Sequence, residues 1–306
     1  MKIFLTGATG FIGGHVLQAL VEQNHQVTCL VRGQHTSSQR LLSLPGVRLL
    51  EGEWTTPESW IDQVAGHDVV INTVGIIREK RGATFEAVHT TAPIALFDAA
   101  GHAGAHKIIQ ISAMGADEEA VSRYHLSKRG ADRHLARSGV PHVILRPSFV
   151  YGPGDHSMSF FARLAALPVT PVPGDGQYRF QPLLISDLVR AIIVAVEDPN
   201  MAAVTVDVGG SQILTFNTLL DVLARQRGKR QCALKLHIPW PIMRLVAIAT
   251  DLMGGRGPIT HEELVMLKRG SFADNQPFIA RFGFEPVPFE SGILQTTVHN
   301  GYGAKA

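Results

Sequence analysis

The sequence predicts an α/β protein, a doubly wound parallel sheet with a smaller, discontinuous C-terminal domain. Three observations predict it. Short runs rich in Val, Ile and Leu alternate with helical patterns through the first half of the chain. A glycine turn at residues 6–13, Thr-Gly-Ala-Thr-Gly-Phe-Ile-Gly, joins the first run to the first helical pattern. From about residue 155 the alternation loosens into Pro/Gly loops and separate amphipathic segments.

The 306 residues, 45% hydrophobic and 18% charged, are enough to bury a large core. Strands are expected at 2–6, 26–31, 47–51, 68–74, 107–112 and 142–146, and helices near 11–23, 56–65, 84–104 and 117–138. The strand runs show little polar alternation, as when helices cover both faces of a sheet. A net charge of +2 provides no field for nucleic acid. Cys29 and Cys232 lie far apart and form no motif, which fits a reducing compartment. Neither a signal peptide nor an apolar run of about 18 residues is seen, so a cytoplasmic protein is expected. The 14 histidines include no His-Glu-x-x-His, and His102 and His106 read as solvated, so no metal site is expected.

The first strand, 2–6, leads through the turn to a helix with Ile12, Val16, Leu17, Leu20 and Val21 on one face. Strand, glycine turn and helix N-terminus make a seat for a pyrophosphate. Gly7 allows the sharp turn, Gly10 lets the backbone approach phosphate, and Gly13 lets the helix pack close to the sheet. Backbone N–H groups near Gly10, Phe11 and Ile12 would donate to the anion, and Thr9 lies in the same turn.

In the form TGATGFIG this turn resembles that of the extended and atypical short-chain dehydrogenase/reductases, whose nucleotide domain is a Rossmann sheet. Further matching pieces are SRYHLSK at 122–128, RPSFVYGPGD at 146–155, QPLLISDL at 181–188, Pro-Trp-Pro at 239–241 and Pro-Ile-Thr at 258–260. Together they are similar to the branch containing the nucleotide-binding accessory subunit of mitochondrial respiratory complex I and its bacterial relatives. The resemblance implies a bound NADPH, in that subunit without established turnover, and a position peripheral to the inner membrane.

The second strand ends at Arg32, and no acid occurs between Gln26 and Arg48. An acid here would bind the ribose hydroxyls of NAD(H). Arg32, with Ser37, Ser38 and Arg40 after it, suits a 2′-phosphate, so NADP(H) is expected over NAD(H). The alternative for Arg32 is an ordinary solvated strand end. Glu53 reads equally as an adenine neighbour or a solvated loop acid, and Trp54 and Phe85 as packing residues. Thr73, Val74 and Gly75 end the fourth strand and should pass beside the cofactor.

The fifth strand delivers Ser112 to the carboxyl edge, where ligands bind in such sheets. Tyr124 and Lys128 follow, four apart and therefore on one helix face. A lysine ammonium one turn away would lower the phenol pKa from about 10, and the tyrosine could then exchange a proton with a carbonyl or alcohol oxygen. The same ammonium can bind the nicotinamide ribose. His125 is expected to face away from both. The resemblance implies that Ser112 holds the substrate oxygen, although Ala113 and Met114 stand where many relatives carry a second small polar residue. It also implies that Pro147 and Ser148 approach the carboxamide.

The C-terminal domain is expected from 155–178 and 209–306, leaving 1–154 and 179–208 to the nucleotide domain. Asp187 is expected to cap a helix, with a strand at 204–208 and a helix at 215–227. After the basic residues Arg225, Arg227, Lys229 and Arg230, a helix within 239–254 carries Ile242, Leu245, Val246, Ala249, Leu252 and Met253 on one face. It either packs on its own domain or rests peripherally on an anionic membrane. Thr260 and Glu263 form a capping box.

Three functions follow. The first is an NADP(H)-dependent oxidoreductase acting on a carbonyl or alcohol, quinone- or lipid-related. The second is a non-catalytic NADPH-binding protein. The third is a nucleotide-sugar epimerase or dehydratase, ranked last because the long insertion usual between serine and tyrosine is absent. The substrate is left open, and an oligomer is compatible with the sequence.

Overall fold

Seven strands form the central sheet of this computed structural model, which describes residues 1–33, 40–80, 82–226, 232 and 234–299. They are β1 (Lys2–Thr6), β2 (Gln26–Val31), β3 (Val47–Glu51), β4 (Val69–Asn72), β5 (Lys107–Ile111), β6 (His142–Pro147) and β7 (Val204–Val208). Their order is β7-β6-β5-β4-β1-β2-β3. The pairs from β3 through to β6 are all parallel, in single registers such as Phe4 beside Thr28 and Val70. The strand order reverses between β1 and β4, and a ligand crevice opens at such a point.

The sheet interior is aliphatic because helices cover it. Phe4, Val70, Ile108 and Ile144 are fully buried and join one core with Leu96, Phe97 and Leu135. Helices α1 (Phe11–Glu22), α2 (Ala92–His102) and α3 (Arg123–Arg137) supply the layers, with α4 (Ser157–Ala165), α5 (Ile185–Glu197) and α6 (Phe216–Arg225) following. Trp54 and Trp60 stack at 5.3 Å, and Trp54 donates to the Val88 carbonyl, as befits packing residues.

Three expected helices differ in detail. Residues 56–65 form two short 3₁₀ turns, Pro57–Ser59 and Ile61–Gln63, because Trp60 must turn inward between them. The 117–138 helix begins only at Arg123, where Ser122 caps it through the His125 N–H. The 84–104 helix opens with a wide π-type turn, Glu86–Thr91. Pro93 has no N–H to give the His89 carbonyl, so the regular ladder cannot run back through this turn.

The chain separates into two compact units. One contains Met1–Pro147 and Leu188–Asp207; the other contains Ser148–Asp187 and the chain from Val208 onward. The crossings fall at 147/148, 187/188 and 207/208, compared with the boundaries at 154/155, 178/179 and 208/209 drawn from composition. The second unit has its own aromatic core, in which Phe216 packs with Tyr178 and Phe161, and Tyr151 with Phe289. It also holds α7 (Trp240–Leu252), α8 (His261–Arg269), α9 (Gln276–Phe282) and α10 (Phe289–His299). The capping box of Thr260 and Glu263 is formed at α8. Asp187 lies inside the first turn of α5, and its carboxylate accepts the Val287 N–H, a hydrogen bond within the second unit.

Candidate active site

The glycine turn closes on itself before it meets any ligand. Gly7 has φ +81°, and its carbonyl accepts the Gly10 N–H at 2.9 Å. A Cβ on Gly13 would lie 2.1 Å from the Gly7 oxygen, so only glycine lets α1 start this close to β1. Thr73 locks the turn from β4, donating its hydroxyl to the Thr6 carbonyl at 2.7 Å. That hydroxyl therefore serves the turn. No side chain caps the N-terminus of α1 and no acid sits in its first turn, which leaves its amides and dipole for an anion. Thr9 and Gly10 are exposed there, with Phe11 and Ile12 half-buried.

Beneath the turn, a buried polar line crosses three strands. Thr6 donates to Asn72 at 2.7 Å, and Asn72 donates to Gln110 at 2.8 Å. Asn72 also accepts the Val74 N–H at 3.1 Å, which fixes the exit of β4 toward Gly75.

The α3 helix brings Tyr124 and Lys128 to this edge. The Lys128 ammonium is buried and donates to the carbonyls of Ile111 at 3.1 Å and Val74 at 3.4 Å. A Cβ on Gly75 would stand 3.2 Å from that nitrogen, which is why glycine fits there. Burial lowers Lys128 to about 8, against the pull of the Asp132 charge. Tyr124 does not follow the expectation of a lowered phenol. Burial, aided by Asp132, pushes it up to about 12.

Ser112 also departs from its expected role. Its hydroxyl donates to Asp132 at 2.7 Å, and Asp132 is paired with Arg146 at 3.0 Å in the interior. Ser112 thus completes a buried ion pair between α3 and β6. Pro147 ends β6, and its carbonyl accepts the Met114 N–H at 2.9 Å. Ser148 begins the second unit, where its hydroxyl is donated to the Gln181 carbonyl. His125 is buried with its ring 5.1 Å from that of Tyr124, so it does not face away. The Ser122 cap draws it in, with its Nδ1 2.8 Å from the Ser122 hydroxyl.

His89 is the site residue that the sequence did not reveal. Its Nε2 accepts the Ile76 N–H at 3.0 Å, so the proton sits on Nδ1, 3.0 Å from the Ser127 hydroxyl. Ser127 in turn donates to the Tyr124 carbonyl at 2.7 Å. Burial, with the Lys128 charge beside it, lowers His89 to about 2, so the ring stays neutral. The only sequence signal was Pro93, four residues on, which opens the turn that carries it.

Arg32 is exposed at the end of β2, in reach of solvent. Ser37, Ser38 and the side chain of Arg40 lie outside the described residues. Glu53 is exposed, and its carbonyl accepts from the Trp60 indole at 3.1 Å, so its backbone has a structural task. Among the described residues there is no cluster of three or more His, Cys, Asp or Glu side chains that could hold a metal, and His102 and His106 are exposed.

The sequence pattern of a family described as NAD(P)H-binding matches residues 7–159, half of the chain. The chain is 28% identical over 261 residues to an Arabidopsis thaliana mitochondrial protein, NADH dehydrogenase (ubiquinone) 1 alpha subcomplex subunit 9. That match covers 82% of this chain and 64% of the plant protein. It is 33% identical over 174 residues to the ceramide reductase of Caulobacter vibrioides, covering 56% of this chain and 53% of that one. The chain thus spans less than two thirds of the length of either relative. Among solved structures, UDP-glucuronic acid 4-epimerase from Bacillus cereus, in complex with UDP-glucuronic acid and NAD, superposes with a TM-score of 0.74. It covers 97% of each chain at 20% identity, a likeness of fold alone.

Proposed function

The chain belongs to the NAD(P)H-binding family, and on that premise we propose that it is an NADP(H)-dependent oxidoreductase reducing the carbonyl of a lipophilic, lipid- or quinone-related substrate. The observation that carries this reading is the pairing of Tyr124 and Lys128 on one face of α3, with the Lys128 ammonium on the carbonyls that end β4 and β5. The glycine cradle, the uncapped α1 and the exposed Arg32 fit a phosphorylated dinucleotide. When bound, the nicotinamide supplies the hydride. Burial pushes the Tyr124 phenol up to about 12, so it stands protonated at neutral pH, the form that a donor to a forming alkoxide needs. Lys128, whose ammonium rests on the carbonyls of Val74 and Ile111 one helical turn from Tyr124, would supply the positive charge and bind the ribose. Relatives named ceramide reductase and, from Stenotrophomonas maltophilia, 2-alkyl-3-oxoalkanoate reductase support a long-chain carbonyl as the class to test.

The test is to identify the co-purified nucleotide, then follow NADPH absorbance with long-chain ketones, oxo acids and quinones. Oxidation that disappears in Tyr124→Phe is the expected result. Tight NADPH binding with no oxidation across the panel overturns the catalytic reading and leaves a non-catalytic NADPH-binding protein. One observation favours that second reading: Ser112, whose family role is to hold the substrate oxygen, gives its hydroxyl to Asp132.

A further inference from the structure

In α7 the apolar side faces outward. The inner face is small and mixed, with Met243, Ala247 and Thr250 buried. The 254–257 loop closes on Thr250 so tightly that a Cβ on Gly257 would lie 2.1 Å from its hydroxyl oxygen. The outer face carries Ile242, Leu245, Ile248, Leu252 and Met253, each half exposed or more, with Leu245 at 67% and Leu252 at 85%. A helix that packs only on its own domain shows the opposite arrangement. Leu236, on the strand Lys235–Ile238 that precedes α7, is also exposed. Contiguous exposed apolar side chains of this size mark an interaction surface.

Charge selects the occupant. The described residues of 225–256 include four lysines and arginines, Arg225, Lys235, Arg244 and Arg256, and a single acid, Asp251. Arg225 and Lys235 are paired, with Glu290 and Asp221 respectively. Arg244 and Arg256 are exposed beside the apolar face, while the Asp251 carboxylate accepts the His261 N–H at 3.2 Å. Aliphatic side chains flanked by cations, with almost no acid, suit a surface of hydrocarbon beneath anionic headgroups. No helix among the described residues is long and apolar enough to cross a membrane, so the contact would be parallel to the surface. We propose that the outer face of α7 is a peripheral docking surface for an anionic lipid bilayer.

The experiment is co-sedimentation of the full chain with vesicles of equal parts phosphatidylcholine and phosphatidylglycerol. Binding is expected at low salt, weaker at about 0.5 M salt and weaker with phosphatidylcholine alone. The double variant Leu245→Glu/Leu252→Glu should lose about tenfold or more in partitioning, with an unchanged thermal melt because both side chains are exposed. Arg244→Glu/Arg256→Glu should reduce binding only to the anionic vesicles. Absence of wild-type binding at low salt overturns the proposal and leaves the face to a protein partner. Equal binding by the leucine double variant also overturns it. So does a lipid-free dimer, seen by light scattering and abolished in that variant, which assigns the face to a second copy.

Discussion

The imidazole of His89 stands edge-on to the phenol ring of Tyr124, with centroids 5.3 Å apart and planes crossed at 88°. Phe85 stacks on the imidazole at 5.5 Å and itself meets Tyr124 edge-on at 5.9 Å. With His125 at 5.1 Å, the phenol is thus walled by three rings. One of them is fixed in a single tautomer by Ile76 and Ser127. Orientation of Tyr124 comes from this wall as much as from its own helix.

His89→Asn should remove the wall and leave partners of the ring unsatisfied, at a cost of about 1–3 kcal/mol in urea unfolding. The pH dependence has a definite sign. The unfolded chain takes up a proton near 6.5, whereas the folded ring does so only near 2. The native state therefore loses stability as pH falls below about 6.5, and the variant should lack this share of the acid loss. An identical acid limb in both proteins would show that the ring titrates normally.

Lys128 acts at the alkaline end. Its folded value is about 8 against 10.5 for an ordinary lysine. Between these values the unfolded chain binds a proton that the folded chain lacks, so stability rises with pH. The rise is at most about 3 kcal/mol. Above pH 10 Tyr124 opposes it, because its phenol is pushed from 10.0 to about 12 and the unfolded chain loses that proton first. Urea midpoints measured from pH 8 to 10 should climb in the wild type relative to Lys128→Met. Parallel profiles would place the ammonium in solvent.

Gly13→Ala and Gly14→Ala are neighbours with opposite outcomes. The first sets a methyl 2.1 Å from the Gly7 oxygen, the second 3.5 Å from the Ala8 oxygen. Gly13→Ala should cost about 2 kcal/mol or more and weaken dinucleotide binding, through overpacking of the turn. Gly14→Ala should be neutral or slightly stabilising, because alanine is the better helix former. Thermal melts with and without NADPH compare the two, and similar losses in both would show that the turn yields.

Arg32→Asp tests the cofactor choice. A carboxylate in place of the guanidinium should weaken NADPH by about tenfold or more while sparing NADH. Titration of each coenzyme reads it directly. An unchanged ratio would mean that Arg32 is only a solvated strand end.

The fold was legible because its signals are local. Residues 2–6, 26–31 and 47–51 are short runs rich in Val, Ile and Leu, and each is a strand with those bounds. The turn at Gly7 and Gly13 was readable because glycine has few other reasons to recur at that spacing before a helix. The Tyr124–Lys128 pair was readable because helical spacing alone puts two residues on one face. The chemistry around the pair was not. Ser112 looked free in sequence, and its commitment to Asp132 and Arg146 depends on α3 and β6 meeting. Residues 56–65 lost their expected helix to the inward turn of Trp60, a demand of the core.

Sequence by itself determined the sheet, the glycine cradle and the placing of Tyr124 and Lys128 on one helix face, since each rests on contacts within a few residues or on a strand's own composition. Tertiary structure decided the protonation of that pair, the loss of Ser112 to an interior ion pair, the recruitment of His89, and which side of α7 faces solvent. The reason is physical. Burial and the distances between charges are properties of segments brought together, and a desolvated phenol or ammonium answers to everything packed around it.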